Sequence, residues 1–122
     1  MIRPAVRRLP EALEEAARSP FGLRFLARSG ERRLSWAQGL DEARRGAGWL
    51  RQRGLVPGET VALAMPTGPD LAVAFLAVQR AGGVPFCLPL PTRFGRPGEY
   101  AASVTAMLGA GRTAMALVPA AQ

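Results

Sequence analysis

The chain has no lysine, no histidine, a single cysteine and a single tyrosine. Each scarcity removes a class of chemistry. Without histidine there is no Ser-His-Asp or Cys-His arrangement for nucleophilic catalysis. Clustered zinc-type ligand spacing is missing as well. Without lysine the phosphate-cradling GxxxxGK[ST] loop cannot be built, and no GxGxxG occurs either. Cys87 alone cannot form an internal disulfide, and the expected setting is reducing and cytoplasmic. The N-terminus has no apolar signal core and no apolar run reaches the length of a membrane span, so none is expected. The carboxylates Asp41, Asp70, Glu59 and Glu99 are spaced like helix caps and surface charges, not like an acid–base pair.

What is present is arginine. All 16 basic residues are Arg against nine acids, for a formal charge of +7. An all-Arg, Ala- and Gly-rich composition points to GC-rich codons, a mutational bias that says nothing about a ligand. The arginines read as scattered apart from Arg7-Arg8, Arg32-Arg33 and Arg44-Arg45. A nucleic-acid footprint would gather them on one face with aromatics between, so no nucleic-acid partner is expected. Nearly half of the 122 residues are hydrophobic, which suits one small domain with its own core.

The organising stretch runs from Val61 to Pro91. Val61 to Met65 is an apolar run without alternation, as in a strand buried on both faces. Pro66-Thr67-Gly68-Pro69 breaks it. Thr67 and Asp70 have capping-box spacing, and the helix that follows carries Leu71, Phe75, Leu76 and Val78 with almost no polar face. Phe75 and Leu76 are therefore expected to be well buried. Gly82-Gly83 closes the helix, and Val84 to Leu88 is a second buried run in which Cys87 reads as a small core hydrophobe. Two buried strands joined by a helix lie parallel, with a right-handed crossover.

Upstream, Leu9-Pro10-Glu11 opens a helix with a narrow stripe of Leu9, Leu13, Ala16 and Ala17. Gly22 to Arg28 alternates and, with Glu31 to Trp36, reads as an antiparallel hairpin with one wet face. Ser35 and Gln38 form a capping box for a long helix whose inner face is Trp36, Leu40, Ala43, Ala47 and Leu50. Asp41 with Arg45 adds a surface pair. Downstream, Pro91 to Arg96 is a loop. Pro97 starts a helix with Tyr100, Val104, Met107 and Leu108 inward, and Thr113 to Val118 is a third strand. The expected fold is α/β, an N-terminal helix and hairpin followed by a parallel βαβαβ unit. Two crossover helices leave part of such a sheet bare, so the chain reads as a piece of something larger.

In an open parallel sheet, ligands bind beyond the C-terminal strand ends. Those ends carry Pro66-Thr67-Gly68 and Pro91 to Arg96. Thr67 either caps its helix or offers backbone amides to an anion. Arg93 and Arg96 around Phe94 either contact an acid or a carrier surface, or form a solvated loop anchored by Phe94. No catalytic and no metal-ligating residue is named.

The stretch MPTGPDLAVAFLAVQRAGGVPFCLPLP resembles the early segment of adenylate-forming (AMP-binding) enzymes: acyl-CoA synthetases, peptide-synthetase adenylation domains and luciferases. LSWAQGLDEARRGAGWLRQRGLVPGETVALAM resembles that family's first core motif and its Gly-Leu-x-Pro-Gly-Asp turn, with Glu59 where Asp is usual. LAVQRAGGVPFCLPLP resembles the second, with Arg80 for Lys. PTGPD before an Ala-Phe helix, and LPLP before a long loop, look most like fatty acyl-AMP ligases. The resemblance covers Leu9 to Val118 and implies that residues 1–122 are an incomplete piece of the large N-terminal domain, without a complete catalytic domain. For the full-length enzyme it implies ATP and magnesium, a fatty acid activated as acyl-adenylate, and an acyl carrier protein or coenzyme A as acceptor, in fatty acid metabolism or lipid or polyketide biosynthesis. The implied partners are the remainder of the adenylation domain and the carrier. This chain alone would be inactive. The rival reading is a free-standing, non-catalytic α/β module, as from a truncated gene.

Overall fold

A computed structural model describes residues 8–89 and 97–119. The elements are α1 (Leu9–Ala16), β1 (Gly22–Ala27), β2 (Gly30–Ser35), α2 (Trp36–Gln52), β3 (Thr60–Leu63), α3 (Pro69–Arg80), β4 (Val84–Cys87), α4 (Pro97–Ala110) and β5 (Thr113–Leu117). The hairpin β1–β2 is antiparallel and separate from a three-stranded sheet of order β4-β3-β5, in which both neighbours run parallel to β3.

Local chemistry sets the boundaries. At the start of α2, Ser35 Oγ accepts from Gln38 N at 3.1 Å and Gln38 Oε1 accepts from Ser35 N at 2.9 Å, a complete capping box. Both long helices end in the same way. Gly54 and Gly82 take φ of +93° and +90°. Leu55 N then donates to Leu50 O, and Gly83 N to Val78 O, so the last carbonyls are satisfied. Between them Val56-Pro57-Gly58-Glu59 is a tight turn with Gly58 at φ +88° and Glu59 N bonded to Val56 O. The Glu59 carboxylate accepts from Val56 N at 2.6 Å, and Gly58 N donates to Gly82 O, which ties the turn to the end of α3.

The core lies between β3 and the α2–α3 pair. Val61 and Leu63 are fully buried against Leu50, Leu55, Ala77 and Val78, with Met115 and Leu117 of β5 at the margin. Ala62 points to the other face, in register with Phe86, whose ring lies beside Gly111 at the end of α4. The two crossover helices thus lie on opposite faces of the sheet. α2 and α3 approach closely because a Cβ on Gly46 would come within 2.8 Å of Ala77 Cβ. α1 is held by Leu13 packing near Leu40 and Ala43, and by Glu14, which meets Arg80 at 3.1 Å and Arg44 at 3.6 Å. The Asp41–Arg45 pair forms at 3.0 Å.

Several expectations change. The Thr67–Asp70 capping box does not form: the N-cap is Gly68, with no side-chain cap. Pro69 takes the first helical position and holds the residue before it extended, so Gly68 and not Thr67 stands at the cap. Phe75 and Leu76 are half-buried, because only one side of α3 is covered by α2 and the sheet. Cys87 is exposed, as is Val84, because β4 is an edge strand. Leu9 and Met107 are also exposed, and Tyr100, Val104 and Leu108 are half-buried, so α4 has no fully buried face among the described residues.

Candidate functional site

Strands β3 and β5 aim their C-terminal ends at one cleft of about 950 Å³. Its walls are the β3–α3 loop from Met65 to Asp70, Val118 and Pro119 after β5, and the hairpin from Arg24 to Arg32. The loop after β3 departs toward β4 and away from β5. The cleft lies beyond the C-terminal ends of β3 and β5, the usual ligand position in an open α/β sheet.

Hairpin register decides which side chains reach it. Leu23 opposes Leu34 and Phe25 opposes Arg32. Opposed residues share a face, and Leu34 is buried, so Arg32 lies on the inner face beside Phe25. Arg32 is exposed and makes no hydrogen bond or ion pair with the described residues. Across the cleft Thr67 is exposed with a free hydroxyl, ahead of the Gly68-Pro69 start of α3. The cleft thus combines the inner-face guanidinium of Arg32, the Thr67 hydroxyl and helix-start amides with the apolar surface of Phe25, Met65 and Val118, and Arg24, Leu26, Glu31 and Asp70 also line it. With the Glu31 carboxylate taken up by Arg24 and Arg33, the guanidinium, hydroxyl and amides suit an anion carrying an apolar group.

Arg24, Arg33 and Glu31 occupy the hairpin's other face. Glu31 Oε1 accepts from Arg24 Nε and, at 3.2 Å, from Arg33 Nε. The Arg24 hydrogen bond, reinforced by that of Arg33, holds the Glu31 carboxyl at about 2, below its usual value, and the same pair raises Arg24.

Of the residues singled out from sequence, Thr67 lies in the cleft. Arg93, Phe94 and Arg96 lie outside the described residues. The flanks of their loop are joined, since Tyr100 Oη donates to Pro89 O at 2.8 Å. Arg32 escaped the sequence reading. Its signal is the alternation itself, which pairs it with Phe25 once the turn at Arg28–Gly30 is placed. Among the described residues no three His, Cys, Asp or Glu side chains gather into a metal site. No helix there is long and apolar enough to cross a membrane.

Comparison with known proteins adds four findings. The family model described as AMP-binding enzyme matches residues 13–97. The salicyl-AMP ligase / salicyl-S-ArCP synthetase of Mycobacterium tuberculosis is 36% identical over 103 residues, which are 84% of this chain and 17% of that protein. A structure from studies of the fatty acyl-adenylate ligases of E. coli and L. pneumophila superposes with a TM-score of 0.79 at 30% identity, covering 89% of this chain and 20% of that one. An adenylation domain of a keto acid-selecting NRPS module gives 0.70 at 27%, covering 84% and 19%. The chain therefore spans about a fifth of the length of these relatives.

Proposed function

Because the chain belongs to the AMP-binding enzyme family, we propose that residues 1–122 form the first part of the N-terminal domain of an ATP-dependent acid–AMP ligase. In that reaction a carboxylate attacks the α-phosphorus of ATP and pyrophosphate leaves. The acyl-adenylate then passes its acyl group to a thiol, which loses its proton as AMP leaves. A fatty acid is the proposed substrate and an acyl carrier protein the proposed acceptor. The observation that carries this reading is the match over residues 13–97, joined to the likeness to fatty acyl-adenylate ligases over 89% of the chain. The name of the Mycobacterium tuberculosis relative, which includes a carrier-protein product, supports the acceptor.

In this reading the chain supplies scaffold and one wall of the acid pocket. The wall is the cleft between the hairpin and the β3–α3 loop, where Arg32 offers charge and Phe25 and Met65 an apolar lining. Thr67 is a candidate contact there, and Arg93, Phe94 and Arg96 are candidates on the neighbouring loop. Charge on the transferring phosphate needs a preorganised cradle and a cation. The described residues do not fit magnesium, having no cluster of ligands, and the chain has no lysine. No chemical step is assigned to them, and the groups that bind ATP and metal are placed in the remainder of the domain.

Fatty-acid-dependent exchange between ATP and labelled pyrophosphate tests this. The 122-residue chain is expected to show none, and the chain extended through the downstream reading frame is expected to show it with medium- or long-chain acids. Exchange with aryl acids alone would replace the substrate class. Absence of exchange with any acid from the extended chain would favour the non-catalytic module.

A further inference from the structure

The charge of this protein is not spread over it. The described residues hold twelve arginines and nine acids. The fourteen hairpin residues 22–35 hold four of those arginines and one of the acids, and all the other described residues hold eight of each. The whole positive excess of the described residues thus sits in one hairpin, a contiguous stretch of the sequence, with Arg32 on its inner face and the other three arginines on its outer face and turn.

The arrangement within the hairpin is not one that stability alone would select. Arg24 and Arg33 are directly opposed across the ladder, and opposed like charges destabilise a strand pair. A single oxygen, Glu31 Oε1, sits between them and takes only the two Nε donors. The terminal guanidinium nitrogens of both therefore keep their donors for an external acceptor. Arg28, at the turn, is exposed and makes no hydrogen bond or ion pair with the described residues. Leu26 shares the Arg24 face and is 80% exposed. The face presents two guanidiniums prepositioned by a shared carboxylate and one apolar contact, with a third, free guanidinium at the adjoining turn.

We propose that this outer face of the hairpin is a docking surface for an acidic helix of a partner protein. Arg24, Arg33 and Arg28 take its carboxylates, and Leu26 packs on its apolar edge. Guanidinium forks match carboxylates two bonds at a time. A six-residue strand is about 20 Å long, the length of three to four helical turns. Duplex DNA recognition commonly uses about 6–10 phosphate contacts, more than this face supplies. An anionic membrane is matched by clusters of about 4–8 cationic residues beside a membrane helix or on an amphipathic one. The hairpin face is smaller and carries a single exposed leucine. Arg24, Leu26 and Glu31 of this face also line the cleft that would hold the activated acid, so a partner docked here sits at the edge of that cleft. Naming the partner as an acyl carrier protein rests on the proposed ligase function; the charge asymmetry does not.

The test uses the 122-residue chain and, as probe, a holo acyl carrier protein of negative net charge, with affinity measured at about 50 mM salt, where charge steering is strong. Arg28→Glu and Arg18→Glu make the same change in net charge at exposed arginines that hold no side-chain partner, one in the hairpin and one after α1. Arg28→Glu should weaken binding about fivefold, and Arg28→Glu with Leu26→Ser about tenfold or more, while Arg18→Glu stays within about twofold. Unchanged circular dichroism excludes misfolding. Equal loss from both single reversals, or no binding by the parent chain, would overturn the proposal. So would hairpin-dependent binding to a DNA duplex or to phosphatidylglycerol vesicles with none to the carrier. Pyrophosphate exchange by the chain extended through the downstream reading frame reads the ligase function separately. Exchange by the extended chain without hairpin-dependent binding sinks only the docking surface, and hairpin-dependent binding with no exchange by the extended chain supports the surface while sinking the ligase reading.

Discussion

Strand β3 and the hairpin strands are short stretches of extended chain in the same molecule, yet they are held by different forces. Every side chain of β3 from Val61 to Leu63 is fully buried, between helices on one face and α4 with Phe86 on the other. The hairpin buries Leu34, half-buries Leu23 and Phe25, and gives its remaining positions to charge and solvent. β3 is secured by packing, which no solvent condition short of denaturation removes. The hairpin relies on its backbone ladder and on one carboxylate between two arginines, which salt and acid weaken. Binding surfaces need accessible, adjustable groups, and the hairpin has them where β3 does not.

The sharpest way to break this contrast is to truncate one leucine in each region. Leu63→Ala should cost about 2–5 kcal/mol in urea denaturation, through a cavity between β3 and the helices. Leu26→Ala should change stability by no more than about 0.5 kcal/mol, being largely exposed. Similar losses from the two would mean that the hairpin is as integral to the core as β3.

Two glycines on α2 sharpen the same point within one helix. A Cβ at Gly46 meets Ala77 at 2.8 Å, whereas one at Gly48 meets nothing within 4 Å. Gly46→Ala should therefore destabilise by about 1–3 kcal/mol as α2 and α3 are pushed apart. Gly48→Ala should stabilise by about 0.5–1 kcal/mol through helix propensity. Thermal midpoints moving in opposite directions would confirm that the core depends on close helix approach.

Ser35 sits at the junction of the two regions, ending β2 and capping α2. Ser35→Ala removes the cap and should cost about 1 kcal/mol, while Ser35→Asp should retain most of it. Equal loss from both would show that the hydroxyl serves the hairpin and not the helix.

The smallest effect is confined to the hairpin. The hydrogen bonds from Arg24 and Arg33 hold the Glu31 carboxyl at about 2 in the folded chain, below its ordinary value of 4.5. Its pairing therefore contributes fully above the unfolded value and is lost as the pH falls through the folded one. Carboxyl ¹³C shifts should place the Glu31 midpoint near 2, and Arg24→Gln should move it up toward 4.5. Amide signals of β3 should not follow. A Glu31 midpoint already at 4.5 in the parent chain would remove the ion pair from the account.

Much of this was legible from residue order. Helices and strands fall within a residue or two of the positions set by periodicity, because apolar spacing and glycine stops act locally. The Ser35–Gln38 capping box formed as its spacing predicts. The Thr67–Asp70 box has the same spacing and did not form, because Pro69 competes for the first helical position. That too is local chemistry, open to a reader who weighs proline before spacing. The family was recognisable from PTGPD, the Pro57-Gly58 turn and the Gly82-Gly83 stop, since these glycines and prolines are demanded by backbone geometry that neighbouring residues cannot mask.

The candidate site was legible only in part. Thr67 was found because it follows an apolar strand, whereas Arg32 was not, because its place depends on pairing across a turn with Phe25. Three apolar runs look alike along the chain, and nothing in them says which lies in the middle. Tertiary structure put β3 there and left β4 and β5 at the edges, so Cys87 and Val84 are exposed and Val61 is not. It also left one side of α3 uncovered, which is why Phe75 is only half-buried. Residue order determined local conformation through steric and hydrogen-bonding rules that act over a few residues. Burial is a property of what stands opposite, and only the assembled chain decides that.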